Sequence, residues 1–490
     1  MDRHAQEAGA RDEGKTYAAN PRPTFACCLG ASALSMLMVL LFNGPLATAH
    51  PGASDWSRDW ATMSAVAGFL ILLALGRTRP RLLAARPGIT CAVVGALSLI
   101  GCALCAAGEA LGMPALITVG SCVGNAAGAW VTTLWLLACA SLSLRAALLC
   151  FAGASVLAMP VATLVSLGSS YQLANAVNTA AALGMLALSL PVARDLLGRI
   201  AEFGTPSNAE VSHPLAFLPM RSHLFIYIFA FSLAYGYGLR LASPGSAWQR
   251  YALTALVMLT LVGYTLLARR HPRMDALFTV SFAFVLVGYL LVLLVIGPAT
   301  RLAPALLVSG SLCFNLLTWF SLCAAARRSA IDALPTLAWG LAVDYAGILA
   351  GALIALASGV GEAGGAGTVV ARTVIVAIIA AVTLYVVATR RTFSFDETIE
   401  GSATETPSVA ARPVDDLPGR CERMAEQRGL TQRESDVLVL LARGNNAAHI
   451  EQKLCISHNT VKYHARNVYR KLDVHSQQEL IDLMAGRDQG

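Results

Sequence analysis

A short segment near the C-terminus, Ser457–Leu472, carries its polar chemistry on one side. When the segment is wound as a helix at about 100° per residue, hydrogen-bond donors and cations share one face, without a carboxylate before Asp473. Arg and Lys suit guanine acceptors and phosphates, and Asn can pair with adenine, so this face fits a DNA major groove. An ordinary solvated helix face is the alternative interpretation. The candidate DNA-binding residues are Asn459, Thr460, Lys462, Tyr463, Arg466, Arg470 and Lys471.

Four short helices are predicted to position this face. Residues 442–444 close the first, the second spans about 446–454, and Ser457 caps a third that ends at Leu472. The opposite face of the third helix is apolar, as a core-facing side requires. Its residues are Val461, Ala465, Val468 and Leu472. The first and fourth helices each start with an S/T-x-x-E capping box, formed by Thr431 with Glu434 and by Ser476 with Glu479.

Many residues near the C-terminus follow a fixed pattern of types and spacings. They are Leu430, Thr431, Arg433, Glu434, Val437, Leu438, Leu441, Ala442, Gly444, Ile450, Leu454, Ile456, Ser457, Thr460, Val461, Lys462, His464, Asn467, Lys471, Leu472, Val474 and Glu479. With these matches, the last sixty or so residues resemble the LuxR/FixJ/GerE-type helix-turn-helix domain, although Gln477 stands where the family commonly has arginine. The resemblance implies that Lys462, Tyr463 and Arg466 contact double-stranded DNA. It also implies homodimer formation through the fourth helix, where Leu480, Ile481 and Leu483 would supply apolar surface.

The composition of the whole chain excludes an ordinary soluble protein. Of its 490 residues 56% are apolar, and the mean hydropathy is +0.60, which is typical of a membrane protein with a soluble tail. The net charge of +7 comes from loops and from the third C-terminal helix, so it does not indicate a single basic surface.

Twelve apolar stretches have roughly the length of a membrane span. They lie at about 25–46, 60–76, 89–108, 114–142, 146–169, 174–193, 223–241, 249–268, 276–297, 304–326, 334–357 and 368–388.

The distribution of arginine predicts the orientation of these spans. If the loops alternate sides, one side holds the arginine-rich loops at 77–86, 194–221 and 269–273, together with Arg145 and the pair at 327–328. The positive-inside rule then places both termini in the cytoplasm. A signal peptide ending near 47–49 is the alternative for the first span, but the apolar run is long for one. We therefore expect a multi-pass protein of the cell membrane that retains its first helix.

An internal repeat predicts two parallel halves of six spans. The segment Pro114–Asn125 matches Pro304–Asn315 at six of twelve positions, including the proline and the asparagine. Twelve spans in two parallel halves with basic 2–3 and 8–9 loops resemble the major facilitator transporters. The acidic residue of that family's 2–3 loop motif is missing here.

Three polar residues within the spans are candidates for ligand binding. An ionisable residue inside a membrane is costly and is a site hypothesis by default, which applies to Asp344. The repeat-related Asn125 and Asn315 either join it in a site between the halves or only bridge helices by hydrogen bonds. We expect a small, largely apolar ligand.

The predicted fold is therefore all-α, with a twelve-span transmembrane helix bundle in six-plus-six parallel repeats followed by a C-terminal four-helix LuxR-type domain. The predicted regions are a disordered cytoplasmic start (1–22), a sensor bundle (23–391), a flexible linker (392–418, rich in Ser, Thr, Pro and acids) and a DNA-binding domain (419–490). This organisation predicts a membrane-embedded one-component transcriptional regulator. The alternative is a facilitative transporter whose tail regulates it or binds another protein. Neither an enzymatic site, a cofactor nor a metal is expected.

Overall fold

α-Helix is the only regular secondary structure among the residues that the computed structural model describes. These residues are 21–42, 46, 57–168, 170–203, 222–241, 247–267, 273–294, 302–327, 332–358, 370, 373–375, 377–378, 381–382, 385, 394–396, 399, 417–442, 450–451, 454, 456–474 and 477–484.

Twelve helices lie between residues 21 and 357 of the described chain. They are α1 (Pro21–Phe42), α2 (Ser57–Thr78), α3 (Pro80–Ala84), α4 (Pro87–Ala110), α5 (Pro114–Ala140), α6 (Leu144–Leu167), α7 (Tyr171–Phe203), α8 (His223–Leu241), α9 (Ala247–Leu267), α10 (Met274–Leu294), α11 (Leu302–Ala326) and α12 (Ala333–Ala357).

Eleven of the twelve predicted spans each coincide with one of these helices. The remaining helix, the short α3, lies between two spans. The twelfth, 368–388, lies largely outside the described residues. Within the described chain, nine helices are long and apolar enough to cross a membrane. The count of twelve spans stays a prediction.

An aromatic cluster lies within the apolar core of the bundle. The Trp135 ring packs edge-on against Phe151 and Trp319, with centroid distances of 5.6 and 4.9 Å. Its indole Nε1 donates a hydrogen bond of 3.0 Å to Ser32 Oγ, which satisfies a buried donor that burial would otherwise penalise. This cluster joins α1, α5, α6 and α11.

Glycines let α8 and α12 approach closely. A Cβ atom on Gly236 would overlap the carbonyl oxygen of Ile348, and one on Gly351 would overlap that of Leu233. Small residues allow such backbone contact between apolar helices.

A buried ion pair fastens α2 to α8. Arg240 Nη2 lies 2.5 Å from Asp59 Oδ2, and the two side chains are 13% and 5% exposed. Because α2 begins and α8 ends near these residues, the pair lies at one end of the bundle.

The first part of the predicted linker is attached to the bundle. The Asp396 carboxylate accepts the backbone N–H groups of Met274 (2.6 Å) and Asp275 (3.5 Å). In return the Asp275 carboxylate accepts the Ser394 hydroxyl (2.5 Å) and the Phe395 backbone N–H (2.8 Å). Each carboxylate thus caps the helical turn that carries the other. We call this contact, completed by Ile399, the clasp.

Apolar burial reinforces the clasp. Phe395 is 2% and Ile399 1% exposed, and both belong to the main bundle core. The Phe395 ring lies 5.1 Å from Phe278 and 5.7 Å from Tyr227. Burying a side chain of this size stabilises by about 1.5–3 kcal/mol. Contacts with the bundle therefore extend beyond residue 391, where we placed the end of the sensor domain, to Ile399.

The C-terminal region has an apolar core of its own. Its helices are α13 (Leu417–Gln427), α14 (Gln432–Ala442), α15 (His458–Leu472) and α16 (Gln477–Met484). In the second predicted helix Ile450, Glu451 and Leu454 are helical, whereas the rest of 446–454 lies outside the described residues. The core comprises Cys421, Val437, Leu438, Leu440, Leu441, Ala442, Ile450, Val461, Val468, Leu472, Val474 and Leu480.

Candidate nucleic-acid interface

Local capping fixes the ends of α15. Ser457 is the N-cap, and its hydroxyl accepts the backbone N–H of Thr460 at 3.3 Å. Asp473 ends the helix in the left-handed conformation, with φ of 57°, which short polar side chains tolerate better than most. The helix therefore runs from the residue after Ser457 to Leu472, as its sequence predicts.

One face of α15 is buried in the core of the domain. Val461, Val468 and Leu472 are 1%, 0% and 3% exposed, and Ala465 packs against the same cluster. This confirms the apolar face and fixes which side of the helix points outward.

The outward face presents the predicted DNA-binding side chains. Asn459, Lys462, Arg466 and Arg470 are exposed, and the Tyr463 ring is 63% exposed. Thr460 is only half-buried and shares a 2.8 Å hydrogen bond with the Ser457 hydroxyl. No acidic residue occurs in α15, so the face combines positive charge with hydrogen-bond donors.

Lys471 differs from the other cations of α15 because its ammonium group is used within the domain. Its Nζ donates to Glu434 Oε2 (2.7 Å) and to the Gly429 carbonyl (2.9 Å). Glu434 also accepts the Thr431 backbone N–H at 2.8 Å, while the Thr431 hydroxyl accepts the Glu434 N–H at 3.4 Å. The capping box predicted at Thr431 and Glu434 is thus present, and Lys471 ties it to the end of α15. Ser476 of the second predicted box lies outside the described residues.

The surroundings of Glu434 keep its carboxylate ionised. Burial acts to raise its pKa, but the hydrogen bonds from Lys471 and Thr431 and the positive charge of Lys471 outweigh burial. The pKa of Glu434 consequently falls from 4.5 to about 2.

The start of α16 is bound to the end of α14. The Gln477 side chain is buried, and its Nε2 donates to the Leu441 carbonyl at 2.8 Å. Gln477, which stands where the family commonly has arginine, is thus not exposed and instead stabilises the contact between α14 and α16.

Leu480 is not available for the apolar dimer surface that we predicted on α16. It is 0% exposed because it fills the core of its own domain. Leu483 is partly buried against the same core, and the side chain of Ile481 lies outside the described residues. Homodimer formation stays a prediction, without Leu480 as a contact.

The three ligand candidates lie on three different helices. Asp344 on α12 is buried and accepts a hydrogen bond from the Ser232 hydroxyl on α8. Asn125 on α5 is half-buried and donates to the Ser121 carbonyl of its own helix at 2.9 Å. Asn315 on α11 is half-buried. The described hydrogen bonds join none of the three to another.

Sequence reasoning missed three polar pairings that join distant parts of the chain. They are Glu434 with Lys471, Asp59 with Arg240, and Asp275 with the segment at 394–396. The Thr431–Glu434 capping box and Asp59 at the start of an apolar helix can be recognised in the sequence. Their partners Lys471 and Arg240 could not be predicted, because they lie 37 and 181 residues further along the chain. For the clasp, the visible signal was the apolar pair Phe395 and Ile399, four residues apart in an acidic segment.

Comparison with known proteins places the C-terminal domain in a class of regulators. Residues 428–484 match the family described as bacterial regulatory proteins, luxR family. The chain is 38% identical over 79 residues to the transcriptional activator protein ExaE of Pseudomonas putida, covering 16% of this chain and 37% of that protein. It is 44% identical over 59 residues to the uncharacterized response regulatory protein YgeK of Escherichia coli K12, covering 12% and 40%.

The chain spans about two-fifths of the length of these curated relatives. Residues 428–484 are therefore a LuxR/GerE-type helix-turn-helix domain, which indicates transcription regulation and DNA binding. They follow a long series of apolar helices.

Proposed function

We propose that this protein is a membrane-embedded, one-component transcriptional regulator, in which the helical bundle senses a small ligand and the tethered C-terminal domain binds operator DNA. The single observation that carries the proposal is the exposed face of α15. It brings Lys462, Tyr463 and Arg466 to the surface beside a buried apolar face. Arg and Lys side chains on such a helix can reach base edges in a major groove.

The outer surface of the bundle supports a membrane location. Large apolar side chains are exposed on several helices, which water would penalise and lipid would not. Among them are Ile71 (59%), Leu164 (68%), Leu256 (62%) and Leu267 (87%). A cytoplasmic position of both chain ends remains part of the proposal, since the arginine-rich loops and the DNA-binding domain favour the same side.

Helix contacts support the two-halves arrangement. The pairs α1–α6, α2–α5 and α4–α5 correspond, six spans later, to α8–α12, α9–α11 and α10–α11. Two further contacts, α2–α12 and α6–α9, join the proposed halves. If each helix of the first contact is replaced by the helix six spans away from it, the second contact results. This symmetry is what a parallel repeat of the transporter kind requires. It also keeps facilitated transport as a second candidate function.

The proposed ligand site involves Asp344, Asn125 and Asn315. Asp344 supports it best, because a carboxylate buried among apolar helices with one neutral hydrogen-bond partner is costly and needs a reason. The ligand is proposed to be small and largely apolar, bound between the halves near the middle of the bundle.

Topology is tested with reporter fusions at residues 20 and 400 of the full chain. Both should report a cytoplasmic position, whereas a signal from the opposite side at either residue would contradict the arrangement.

DNA binding by the membrane-bound protein is tested with the full chain in lipid nanodiscs and a random pool of duplexes. The wild type should enrich specific duplexes, and the Lys462→Ala, Arg466→Ala variant should not. Equal enrichment by both would contradict the assignment. Uptake assays in vesicles with candidate apolar solutes separate the regulator from the transporter. Faster solute entry than in protein-free vesicles, without any duplex enrichment, would favour the transporter.

A further inference from the structure

The clasp stands where the bundle ends and the path to the DNA-binding domain begins. Its residues come from the start of α10 and from 394–399, and the DNA-binding domain starts with α13 at Leu417. Along the described part of the chain, Ile399 is the last residue that belongs to the bundle core before α13 begins.

The clasp depends on three helices at once. Phe395 packs beside Tyr227 on α8 (5.7 Å), Phe278 on α10 (5.1 Å) and Phe314 on α11 (6.5 Å between ring centroids). The reciprocal capping between Asp275 and Asp396 adds directional hydrogen bonds to α10 alone. A change in the spacing of these helices would therefore remove part of the apolar contact with Phe395. The capping hydrogen bonds, in contrast, require α10 to keep its position next to residues 394–396.

The clasp also sets how much chain is available to the tail. From Ile399 to Leu417 there are 18 Cα steps (417 − 399), which reach at most about 60–65 Å at 3.3–3.6 Å per residue. If the chain were released from Thr392, 25 steps (417 − 392) would reach about 80–90 Å. Release would thus add about 25 Å to the distance that the chain can span between the bundle and α13.

We propose that the clasp formed by Asp275, Ser394, Phe395, Asp396 and Ile399 is the switch that couples the bundle to the DNA-binding domain. The closed clasp restrains the domain, and helix movement in the bundle opens the clasp and lets two domains engage one duplex together. The proposal rests on the proposed function. Ordering and release of a segment is an established way to convert a small helix shift into a large effect.

The test uses the full chain in nanodiscs and duplexes that the wild type has selected from a random pool. The variant Asp275→Asn, Asp396→Asn weakens the reciprocal capping, and Phe395→Ala, Ile399→Ala removes the apolar contact without changing charge. The matched control is Asp195→Asn, which neutralises an exposed carboxylate on α7. We expect both clasp variants to tighten duplex binding by about tenfold or more, since simultaneous engagement of two sites adds avidity, and the control to leave it unchanged.

Weaker duplex binding is expected when a disulfide bond holds the clasp closed. Ser394→Cys with Asp275→Cys places two thiols where the hydroxyl and carboxylate now meet. After oxidation, duplex binding should fall below the wild-type level and recover with reductant, while the two single-cysteine variants should show no such cycle.

The proposal is overturned if both clasp variants bind the selected duplexes like Asp195→Asn, or more weakly, and if the locked form binds like its reduced form. Because wild type and control bind DNA in that case, the proposed function would survive. Failure of the wild-type chain to select any duplex would instead overturn the proposed function, and the coupling role with it.

Discussion

Two buried carboxylates in this molecule have different surroundings. Glu434 in the C-terminal domain accepts hydrogen bonds from Lys471 and from the Thr431 backbone. Asp344 in the bundle has the Ser232 hydroxyl as its hydrogen-bond donor, and no cation lies within ion-pair distance of it among the described residues. A carboxylate held by a cation and a backbone N–H is compensated for its burial, whereas one with a single neutral donor is poorly compensated and costs free energy. We infer that Glu434 serves the fold and that Asp344 serves a function.

The largest expected effect is the loss of the cation beside Glu434. Lys471→Met should destabilise the C-terminal domain by about 3 kcal/mol, near the lower end for breaking a buried ion pair because Lys471 keeps some exposure. The measurement is urea unfolding of the fragment 415–490, whose apolar core contains no residue of the bundle.

Arg433→Met is the matched control for this measurement. Arg433 lies 3.8 Å from Asp436 in an exposed i,i+3 pair, so its removal should cost less than about 1 kcal/mol. Equal losses from both variants would show that Lys471 is an ordinary surface cation.

The second prediction concerns pH. Since the folded pKa of Glu434, about 2, lies below its ordinary 4.5, its contribution to stability is complete above pH 4.5 and is lost as the pH falls from 4.5 to about 2. Urea unfolding of the fragment across this range should show a steep loss of stability in the wild type. The slope should be shallower in Lys471→Met, and identical slopes would rule out the pairing as its cause.

The smallest effect is expected in the bundle. Asp344→Asn should change the stability of the full chain by less than about 1 kcal/mol or increase it, because removing a poorly compensated buried charge is often neutral or favourable. Ser232→Ala should be more harmful, by about 1–3 kcal/mol, since it leaves the Asp344 carboxylate without this donor. Thermal unfolding in detergent provides the comparison. A loss in Asp344→Asn as large as that of Lys471→Met would make Asp344 a structural residue.

The sequence predicted best those features that depend on neighbouring residues. The Thr431–Glu434 capping box, the Ser457 cap and the two faces of α15 all follow from short spacings. Helices at eleven predicted spans likewise follow from long apolar runs, which are local signals.

Contacts between distant segments could not be predicted in this way. In the sequence, Lys471 is one more cation on the predicted DNA-binding face, and its contact with Glu434 is made only in the folded domain. Leu480 reads as dimer surface until α16 packs it into the core. The acidic segment at 394–399 reads as a solvated linker, because its helix-capping partner Asp275 lies about 120 residues earlier.

The central claim is that the exposed face of α15 reads DNA, and duplex binding by the fragment 415–490 at several salt concentrations tests it most directly. If Arg466 is bidentate to guanine, Arg466→Ala should weaken binding by about 1–3 kcal/mol and relax the sequence preference at one base pair. Loss of a phosphate contact would instead weaken binding to all sequences alike and make the affinity less dependent on salt. The control Arg433→Ala should leave binding unchanged. We predict that Lys462→Ala with Arg466→Ala abolishes specific binding while the fragment stays folded; undiminished specific binding by this folded double variant would contradict the account.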